Sequence, residues 1–405
     1  MSNAAPFRSA ASGTPGSRSA AARVAGLLRE RGPLTRAQLA RAAGMPKSTV
    51  AAAVAELAAE GVVRELGAEE RGGRGRPGAL VCLDPRRGLV VGLQLGLVHI
   101  RAAAVDVAHT VRAERDRALR PHYSAAEALP VAEQLVRETI EAAAAAPEDV
   151  LGLGLAVPLG LTDGPVEGAP GLPPSTMRPG WESVDLVEEL QGRLGLPVVL
   201  DNDSNCAARG ELLWGAAKGY SDVVFFKLHI GVGGAVVLDG KVRPGRSGTA
   251  GEFGHLVLDP AGPLCRCGNR GCLETYAGTT ALMHDLRPWF PDGLTFDLLL
   301  ERLRAGDPAC RRAVADAATR VGQAAGLLCN ALDPEAVVLG GPLVRAGDLV
   351  AEEVGRGLRL SCLRATADVD IVLATLDQRA GALGAAGLAL SAAPLPAFPT
   401  PPLPR

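Results

Sequence analysis

The chain has 405 residues, which is more than one compact domain usually contains, and 47% of them are hydrophobic. The formal net charge is −2, but residues 1–88 hold 14 Lys/Arg against 7 Asp/Glu, whereas the remainder holds 28 against 37. The basic segment over residues 1–88, called the head below, indicates a domain that binds nucleic acid. The acidic remainder of the chain would then form a second domain. The alternative is that the basic residues form a solvated tail without a partner. The charge therefore indicates nucleic-acid binding only if the head also contains a DNA-binding motif.

The composition also excludes a chain that spans a membrane, because no uncharged segment is long enough to cross a bilayer. Residues 1–20 lack the apolar run that a secretory leader requires. We therefore expect a cytoplasmic protein with no membrane partner. In that compartment the eight cysteines favour metal binding over disulfide bonds.

After a tail over residues 1–19, which we expect to be disordered, residues 20–85 predict a winged helix-turn-helix. The predicted elements are helices over residues 20–31, 36–43 and 46–60 and strands over residues 62–66 and 79–83. Thr35 is a plausible N-cap for the second helix, and Gly44 suits its C-terminus. Three helices followed by a hairpin is the order of elements in a winged helix-turn-helix.

The third helix of such a head enters the major groove with its N-terminal residues nearest the bases, and an Arg-Gly wing suits a narrow minor groove. The candidate DNA-binding residues are Lys47, Ser48 and Thr49 in the helix and Arg71, Arg74 and Arg76 in the wing. The outer face of the third helix is predicted to consist of alanines, which offer few contacts to DNA bases. These are Ala51, Ala52, Ala53 and Ala55. The alternative is an ordinary three-helix bundle whose arginines are only solvated.

Residues 88–391 alternate strands with helices, and a Pro-rich tail follows over residues 392–405. Strands are predicted over residues 89–95, 99–107, 150–157, 198–200, 223–228, 234–238 and 336–339, and helices over residues 127–145 and 184–194. This is an α/β pattern with polar motifs where strands end. Two strand-rich sets, before and after the middle, predict two lobes around a cleft.

The most specific motif in the chain is a Cys/His cluster formed by His255, Cys265, Cys267 and Cys272. Three thiolates and one imidazole complete a tetrahedron around zinc, and a site ligated only by protein side chains is normally structural. One alternative is that the cysteines are merely buried small residues. A redox dithiol is the other, but Cys-x-Cys is not the usual redox spacing. The cluster therefore predicts a structural Zn²⁺ ion.

The segment around this cluster resembles the signature of the ROK family, which contains sugar repressors, sugar kinases and uncharacterised reading frames. The resemblance extends from Gly88 to about Leu390, and in the repressor branch of the family it includes the winged head. It implies a two-lobed, actin-like fold of the RNase H-like class, with a sugar bound in the cleft.

The resemblance also implies the residues that bind the sugar. These are Asn202, Asp203, Glu252, His255 and Glu274. Asp203 matches the general base of the family's kinases, which draws a proton from a sugar hydroxyl during phosphoryl transfer. His255 is expected to hold zinc through one ring nitrogen and to face the sugar with the other.

The two loops that match the family's phosphate-binding loops depart from its pattern. Gln94 stands where an acid organises magnesium, Leu97 replaces a glycine and Val98 replaces a threonine, while Ile230 replaces a threonine in the second loop. Since phosphoryl transfer depends on positioned metal and phosphate, these changes predict a sugar receptor without kinase activity, in which Asp203 is vestigial. The alternative is that these loop positions have changed without functional consequence and that weak kinase activity survives.

The leading hypothesis is a sugar-responsive transcriptional regulator, a repressor, that acts as a homodimer or homotetramer. Its partners would be operator DNA and a sugar or sugar-phosphate effector. The second hypothesis is an ATP-dependent sugar kinase with an accessory DNA-binding head. The third is a regulator that binds DNA constitutively and has lost its response to ligand.

Overall fold

The computed structural model describes residues 20–68, 79–121, 123–158 and 184–393. These residues form two compact units. The first contains residues 20–68, 79–87 and 107–109, and the second contains the remaining described residues up to 393. The predicted tail over residues 1–19 and all but the first two residues of the Pro-rich tail lie outside the described residues.

The first unit is a winged helix-turn-helix. Its elements are α1 (Ala20–Arg31), β1 (Leu34–Thr35), α2 (Arg36–Ala43), α3 (Lys47–Ala59), β2 (Val63–Ala68) and β3 (Ala79–Leu83). The strands form an antiparallel sheet in the order β1-β3-β2. The Thr35 hydroxyl caps α2 in a capping box with Gln38, and Gly44 ends the helix in the left-handed conformation, as the sequence predicted.

Helix α3 corrects one detail of the predicted DNA-facing surface. It buries Val50, Ala53, Val54 and Leu57, which follow the i, i+3, i+4, i+7 spacing of one helix face. Ala53 therefore belongs to the core of the head, and its assignment to the outer face was wrong. Ala51, Ala52 and Ala55 are exposed.

The second unit contains two sheets flanked by helices. Its strands are β4 (Leu89–Leu95), β5 (His99–Asp106), β6 (Val111–Ala118), β7 (Val150–Val157), β8 (Val198–Asn202), β9 (Val223–Leu228), β10 (Val232–Leu238), β11 (Lys241–Val242), β12 (Ala336–Gly340) and β13 (Asp370–Leu373). Its helices are α4 (Ala125–Ala142), α5 (Leu186–Leu194), α6 (Asp203–Trp214), α7 (Glu274–Ala277), α8 (Thr279–Leu286), α9 (Phe296–Arg304), α10 (Pro308–Leu332), α11 (Asp348–Arg359) and α12 (Ala380–Ala392).

The two sheets have the same topology. One runs in the order β6-β5-β4-β7-β8 and the other in the order β11-β10-β9-β12-β13. In each sheet three consecutive antiparallel strands are followed by two parallel strands. The β4–β5 turn and the β9–β10 turn therefore occupy equivalent positions in two lobes, which is the actin-like arrangement expected from the sequence.

Each lobe has its own apolar core. In the first lobe buried residues of β4, β5 and β7 pack against α4 and α5, and in the second β9 and β12 pack against α10 and α11. Helix α12 lies against the first sheet so closely that a Cβ atom at Gly154 would come within 1.8 Å of the carbonyl oxygen of Ala385. Only glycine permits this approach.

No helix in the described part of the chain is both long enough and apolar enough to cross a membrane.

Candidate functional site

The four predicted metal ligands lie together. A short loop returns on itself through bridges between Val257 and Cys272 and between Leu264 and Arg270. Gly268 and Gly271 have φ angles of 92° and 63°, which residues other than glycine rarely adopt. The turns at these glycines allow the three thiols to lie close together.

The distances within this cluster fit a tetrahedral metal ion. Cys267 Sγ and Cys272 Sγ are 3.6 Å apart, and Cys265 Sγ lies 3.6 Å from Nδ1 of His255. All four ligand atoms lie within 4.8 Å of one another. Metal–sulfur bonds of about 2.3 Å that meet at the tetrahedral angle place two sulfur atoms about 3.8 Å apart. The cluster therefore has the ligand types and spacing for a metal ion.

Protonation opposes metal binding at this cluster. Burial raises the pKa of the Cys272 thiol to about 12, so an incoming cation must displace its proton. All eight cysteines of the chain are free thiols, so none of the cluster is consumed by a disulfide bond. The Nδ1 atom of His255 faces the cluster, which leaves Nε2 for a second partner.

Asn202 and Asp203 are placed where β8 ends and α6 begins. The Asn202 side chain accepts a hydrogen bond from the Ser204 amide at 2.7 Å and so caps the helix. Asp203 is the first residue of α6 and is buried, with 8% of its surface exposed. The cap fixes the backbone from which the Asp203 carboxylate projects.

Glu252 is held against strand β10. Gly251 has a φ of 96° and approaches the carbonyl oxygen of Gly234 so closely that a Cβ atom would come within 2.4 Å of it. Burial raises the pKa of the Glu252 carboxyl. His255, Arg266, Asp203 and Glu274 also act electrostatically on this carboxyl, so the predicted sugar-binding side chains lie near one another.

Glu274 is fixed beneath the β9–β10 turn. Its carboxylate accepts hydrogen bonds from the Val232 amide at 3.0 Å and from Arg266 Nε at 2.7 Å. Gly231 leaves the space for it, because a Cβ atom there would come within 2.1 Å of Glu274 Oε2. The predicted sugar site therefore contains three carboxyl groups, an amide and an imidazole, all of which can form hydrogen bonds with hydroxyl groups.

Sequence reasoning missed Lys227. Its ammonium donates a hydrogen bond to Asp203 Oδ2, and the side chains are only 16% and 11% exposed. Lys227 lies on β9, so this ion pair joins the second sheet to the start of α6. The sequence feature that could have pointed to Lys227 is the rarity of lysine, because only four of the 42 basic residues are lysines.

The two divergent loops form the equivalent β4–β5 and β9–β10 turns. Val98 and Ile230, the hydroxyl-to-apolar replacements, are each 38% exposed although both are large and apolar. Gln94 is buried, and its Oε1 atom has no hydrogen-bond partner within the described ranges. These turns therefore present apolar tips where a nucleotide-binding site of this pattern would present hydroxyl groups.

The candidate DNA contacts can be placed in part. Lys47 and Ser48 are exposed on the first turn of α3, and Thr49 is half-buried beside them. The predicted wing residues Arg71, Arg74 and Arg76 lie outside the described residues.

Comparison with known proteins identifies both parts of the chain. A model of the ROK family matches residues 90–392, and a model of the MarR family matches residues 13–75. The xylose repressor of Caldicellulosiruptor bescii is 27% identical over 375 residues, which cover 88% of this chain and 92% of the repressor. The match therefore includes the winged head.

Solved structures confirm the fold. A ROK family glucokinase from Streptomyces griseus, in complex with glucose and AMPPNP, is 30% identical with a TM-score of 0.63, covering 74% of this chain and 99% of the kinase. A ROK family transcriptional regulator, a homologue of the Escherichia coli MLC protein, is 23% identical with a TM-score of 0.70. The match covers 92% of this chain and 96% of the regulator.

The Asp203–Lys227 pair makes a testable contribution to stability. Asp203→Asn or Lys227→Met alone leaves a buried charge without its partner, whereas the double variant removes both. We expect a coupling free energy of about 1–3 kcal/mol in a double-mutant cycle measured by urea unfolding. The same cycle on the exposed Arg312–Asp316 pair is the control and should show little coupling. Additive single effects at Asp203 and Lys227 would contradict the pairing.

Proposed function

The chain belongs to the ROK family, and we propose that it is a sugar-responsive transcriptional repressor that does not phosphorylate its ligand. The observation that carries the choice between repressor and kinase is the ion pair between Lys227 and Asp203. A general base must direct its carboxylate at the substrate hydroxyl, and here one carboxylate oxygen of Asp203 already accepts a hydrogen bond from Lys227. The carboxylate remains suited to binding a hydroxyl.

The divergent turns support the same choice. Phosphoryl transfer needs a bound metal ion and polar groups around the phosphates, with little covalent chemistry by the protein. Gln94 stands where the carboxylate would organise magnesium, and the exposed tips at Val98 and Ile230 are apolar. The similarity to glucokinases favours a sugar kinase as the second candidate, but Gln94, Val98 and Ile230 replace polar groups on which that reaction would depend.

The ligand of the proposed repressor is a sugar. Asn202, Asp203, Glu252, His255 and Glu274 would bind it, because carboxylate, amide and imidazole groups pair with polyol hydroxyls. Electrostatic contact of Glu252 with Asp203, His255 and Glu274 supports a common pocket. The Nε2 atom of His255 is the ring nitrogen that would face the sugar.

The winged head is proposed to bind operator DNA in the cytoplasm. Lys47, Ser48 and Thr49 would enter the major groove, and the wing arginines Arg71, Arg74 and Arg76 would contact the minor groove. Proteins with such heads read two half-sites as dimers, so we propose a homodimer or homotetramer. Because binding free energies are linked, a sugar that changes operator affinity is itself bound with an affinity that the operator changes by the same factor.

We propose that the Cys/His cluster holds a zinc ion with a structural role. Three thiolates and an imidazole are ligands that favour zinc, and a cluster with four protein ligands leaves no open position for catalysis. The cluster lies in the chain between Glu252 and Glu274. Zinc would therefore hold the segments that carry these two carboxylates in place.

Operator binding tests the regulatory part of this proposal. Operator DNA is selected from a random duplex library with the full chain, and its Kd is measured as a function of salt. Because Lys47 contributes a charged contact, Lys47→Ala is expected to weaken binding about tenfold or more. Lys218→Ala, an exposed lysine of the second unit, is the control and should leave the Kd unchanged. Failure to select any DNA that binds with salt-dependent affinity would refute a repressor function.

Removal of one metal ligand tests the structural role of zinc. We expect about one zinc per chain in the purified protein, measured by elemental analysis. Cys265→Ser should lose most of the zinc and the sugar-induced rise in Tm, while operator binding without sugar is retained. Cys362→Ser, outside the cluster, should keep both properties. A Cys265→Ser variant that retains zinc and the sugar response would exclude the proposed structural role of zinc.

A further inference from the structure

Glu211 is a buried carboxylate that lies outside the proposed sugar pocket. It is near the C-terminal end of α6, and none of its surface is exposed to solvent. Burial of a carboxylate is costly unless hydrogen bonds satisfy its oxygens. The groups that donate to Glu211 therefore indicate what this side chain holds in place.

The donors to Glu211 are three backbone amides from two distant segments. The amide of Ala216, just after α6, lies 2.8 Å from Oε2. The amides of Thr375 and Leu376, between β13 and α12, lie 3.2 Å from Oε2 and 2.8 Å from Oε1. Thr375 is 164 residues from Glu211 in the chain. Both carboxylate oxygens are thus used, and they hold two remote pieces of backbone together.

These two segments connect the lobes in the described part of the chain. The first connection, residues 215–222, leads from α6 to β9, and the second connection, residues 374–379, leads from β13 to α12. Strands β9 and β13 belong to the second sheet, whereas α6 follows β8 of the first sheet and α12 packs against that sheet. Rotation of one lobe against the other therefore bends the chain at these two connections.

The second connection changes partners at Glu211. The amide of Ala374 donates to the Leu339 carbonyl of β12 at 2.8 Å and so continues the second sheet. The amide of the next residue, Thr375, donates to Glu211 instead. The chain therefore leaves the second sheet at the point where the carboxylate holds it.

The first connection changes partners over a few residues. Ala216 is held by Glu211, whereas the amide of Ser221 donates to the exposed carboxylate of Glu335 at 2.6 Å, just before β12. Residues 217–220 therefore link a segment held by α6 to a segment held by the second lobe. A hinge of this kind needs only a few residues at the ends of elements.

Glycines make room for this arrangement. A Cβ atom at Gly215 would come within 1.9 Å of Glu211 Oε2, so a larger residue would displace the carboxylate. A Cβ atom at Gly384 would come within 1.6 Å of the Cys206 carbonyl oxygen, so α6 and α12 lie backbone against backbone. Glu211 thus joins the end of one packed helix to the segment that leads into the other.

We propose that Glu211 is a positioning residue that joins the two connections into a single pivot for the lobes. Held at one point, the connections bend together, and the lobes have one defined rotation. If the carboxylate were lost, each connection would bend independently of the other.

The inference rests on the proposed function, because a bound sugar supplies the force that moves the lobes. Asn202 ends β8 of the first sheet, whereas Glu252 and Glu274 belong to the second lobe, so a sugar bound by all three bridges the lobes. A ligand shifts an equilibrium only through contacts that differ between the two states. The pivot would convert these contacts into one rotation, which is the change that operator affinity reports.

Hydrogen exchange in the full-length protein without ligand tests the pivot directly. Glu211→Gln offers one acceptor oxygen in place of two. Amides of both connections should then exchange about tenfold or more faster, while α10 is unchanged. Glu335→Gln is the matched control, because Glu335 accepts amides of Ser221 and Asp222 in the first connection alone. This control should leave exchange in the second connection at the wild-type rate.

Gly215→Ala breaks the same contact without changing any charge. The φ of Gly215 is −113°, which alanine adopts without strain, so the effect would come from the displaced carboxylate. We expect faster exchange in the second connection, which Gly215 itself does not contact. Should Glu211→Gln fail to fold, this variant decides the question.

The ratio of operator Kd values with and without saturating sugar measures transmission through the pivot. The probes are xylose and glucose, and sugar binding is measured separately by calorimetry. Glu211→Gln and Gly215→Ala should bring the ratio to within about twofold of one, although sugar still binds. Glu335→Gln should keep the wild-type ratio. A side chain that only stabilised the fold would lower the Tm and leave the ratio as it is.

Two results would overturn the inference. One is faster exchange in the first connection alone, and the other is a wild-type Kd ratio in both Glu211→Gln and Gly215→Ala. If neither sugar changes the operator affinity of the wild-type protein, the proposed function fails for these sugars. Exchange in the second connection then still decides whether Glu211 holds the two connections together.

Discussion

The ion pair between Lys227 and Asp203 links the two lobes chemically, and the proposed function depends on it. It joins the second sheet to the first turn of α6, at the residue that resembles the general base of the family's kinases. Burial makes the pair costly to break, since either partner alone would be an uncompensated charge. The same contact that occupies one oxygen of Asp203 therefore keeps its carboxylate ordered as an acceptor for a ligand hydroxyl.

The fold explains why one pocket can serve either a kinase or a receptor. Two sheets of equal topology carry two equivalent hairpin turns, while α6, the Gly251–Glu252 segment and the Cys/His loop carry the residues proposed to bind sugar. Changes at the side chains of Gln94, Leu97, Val98 and Ile230 can therefore remove phosphate-binding groups, while Gly231 and the Val232 amide still hold Glu274 beneath the same turn. Function on a shared fold is set by the residues of the site.

Much of this architecture could be predicted from the sequence because its signals are local. The capping residue Thr35, the apolar strand Val150–Val157 and the Cys/His spacing each depend on neighbours within one segment. Strand β6 was missed because its exposed, charged residues lack an apolar alternation, and α12 because its Gly/Ala composition has no amphipathic pattern. The partner of Asp203 was missed for a different reason. Lys227 is 24 residues away, and only the pairing of β9 with β10 and β12 fixes where its side chain meets α6.

As a receptor, the protein would couple sugar binding to a change in DNA affinity and leave the sugar chemically unchanged. The most direct test incubates the full-length protein with selected operator DNA, Mg-ATP and each compound of a panel of sugars and sugar phosphates. Operator affinity and the chemical identity of the recovered ligand are then measured in the same sample. We expect one ligand to change operator affinity by about fivefold or more and to be recovered unchanged. Conversion of a sugar to its phosphate at the expense of ATP, with no effect of any compound on operator affinity, would contradict it.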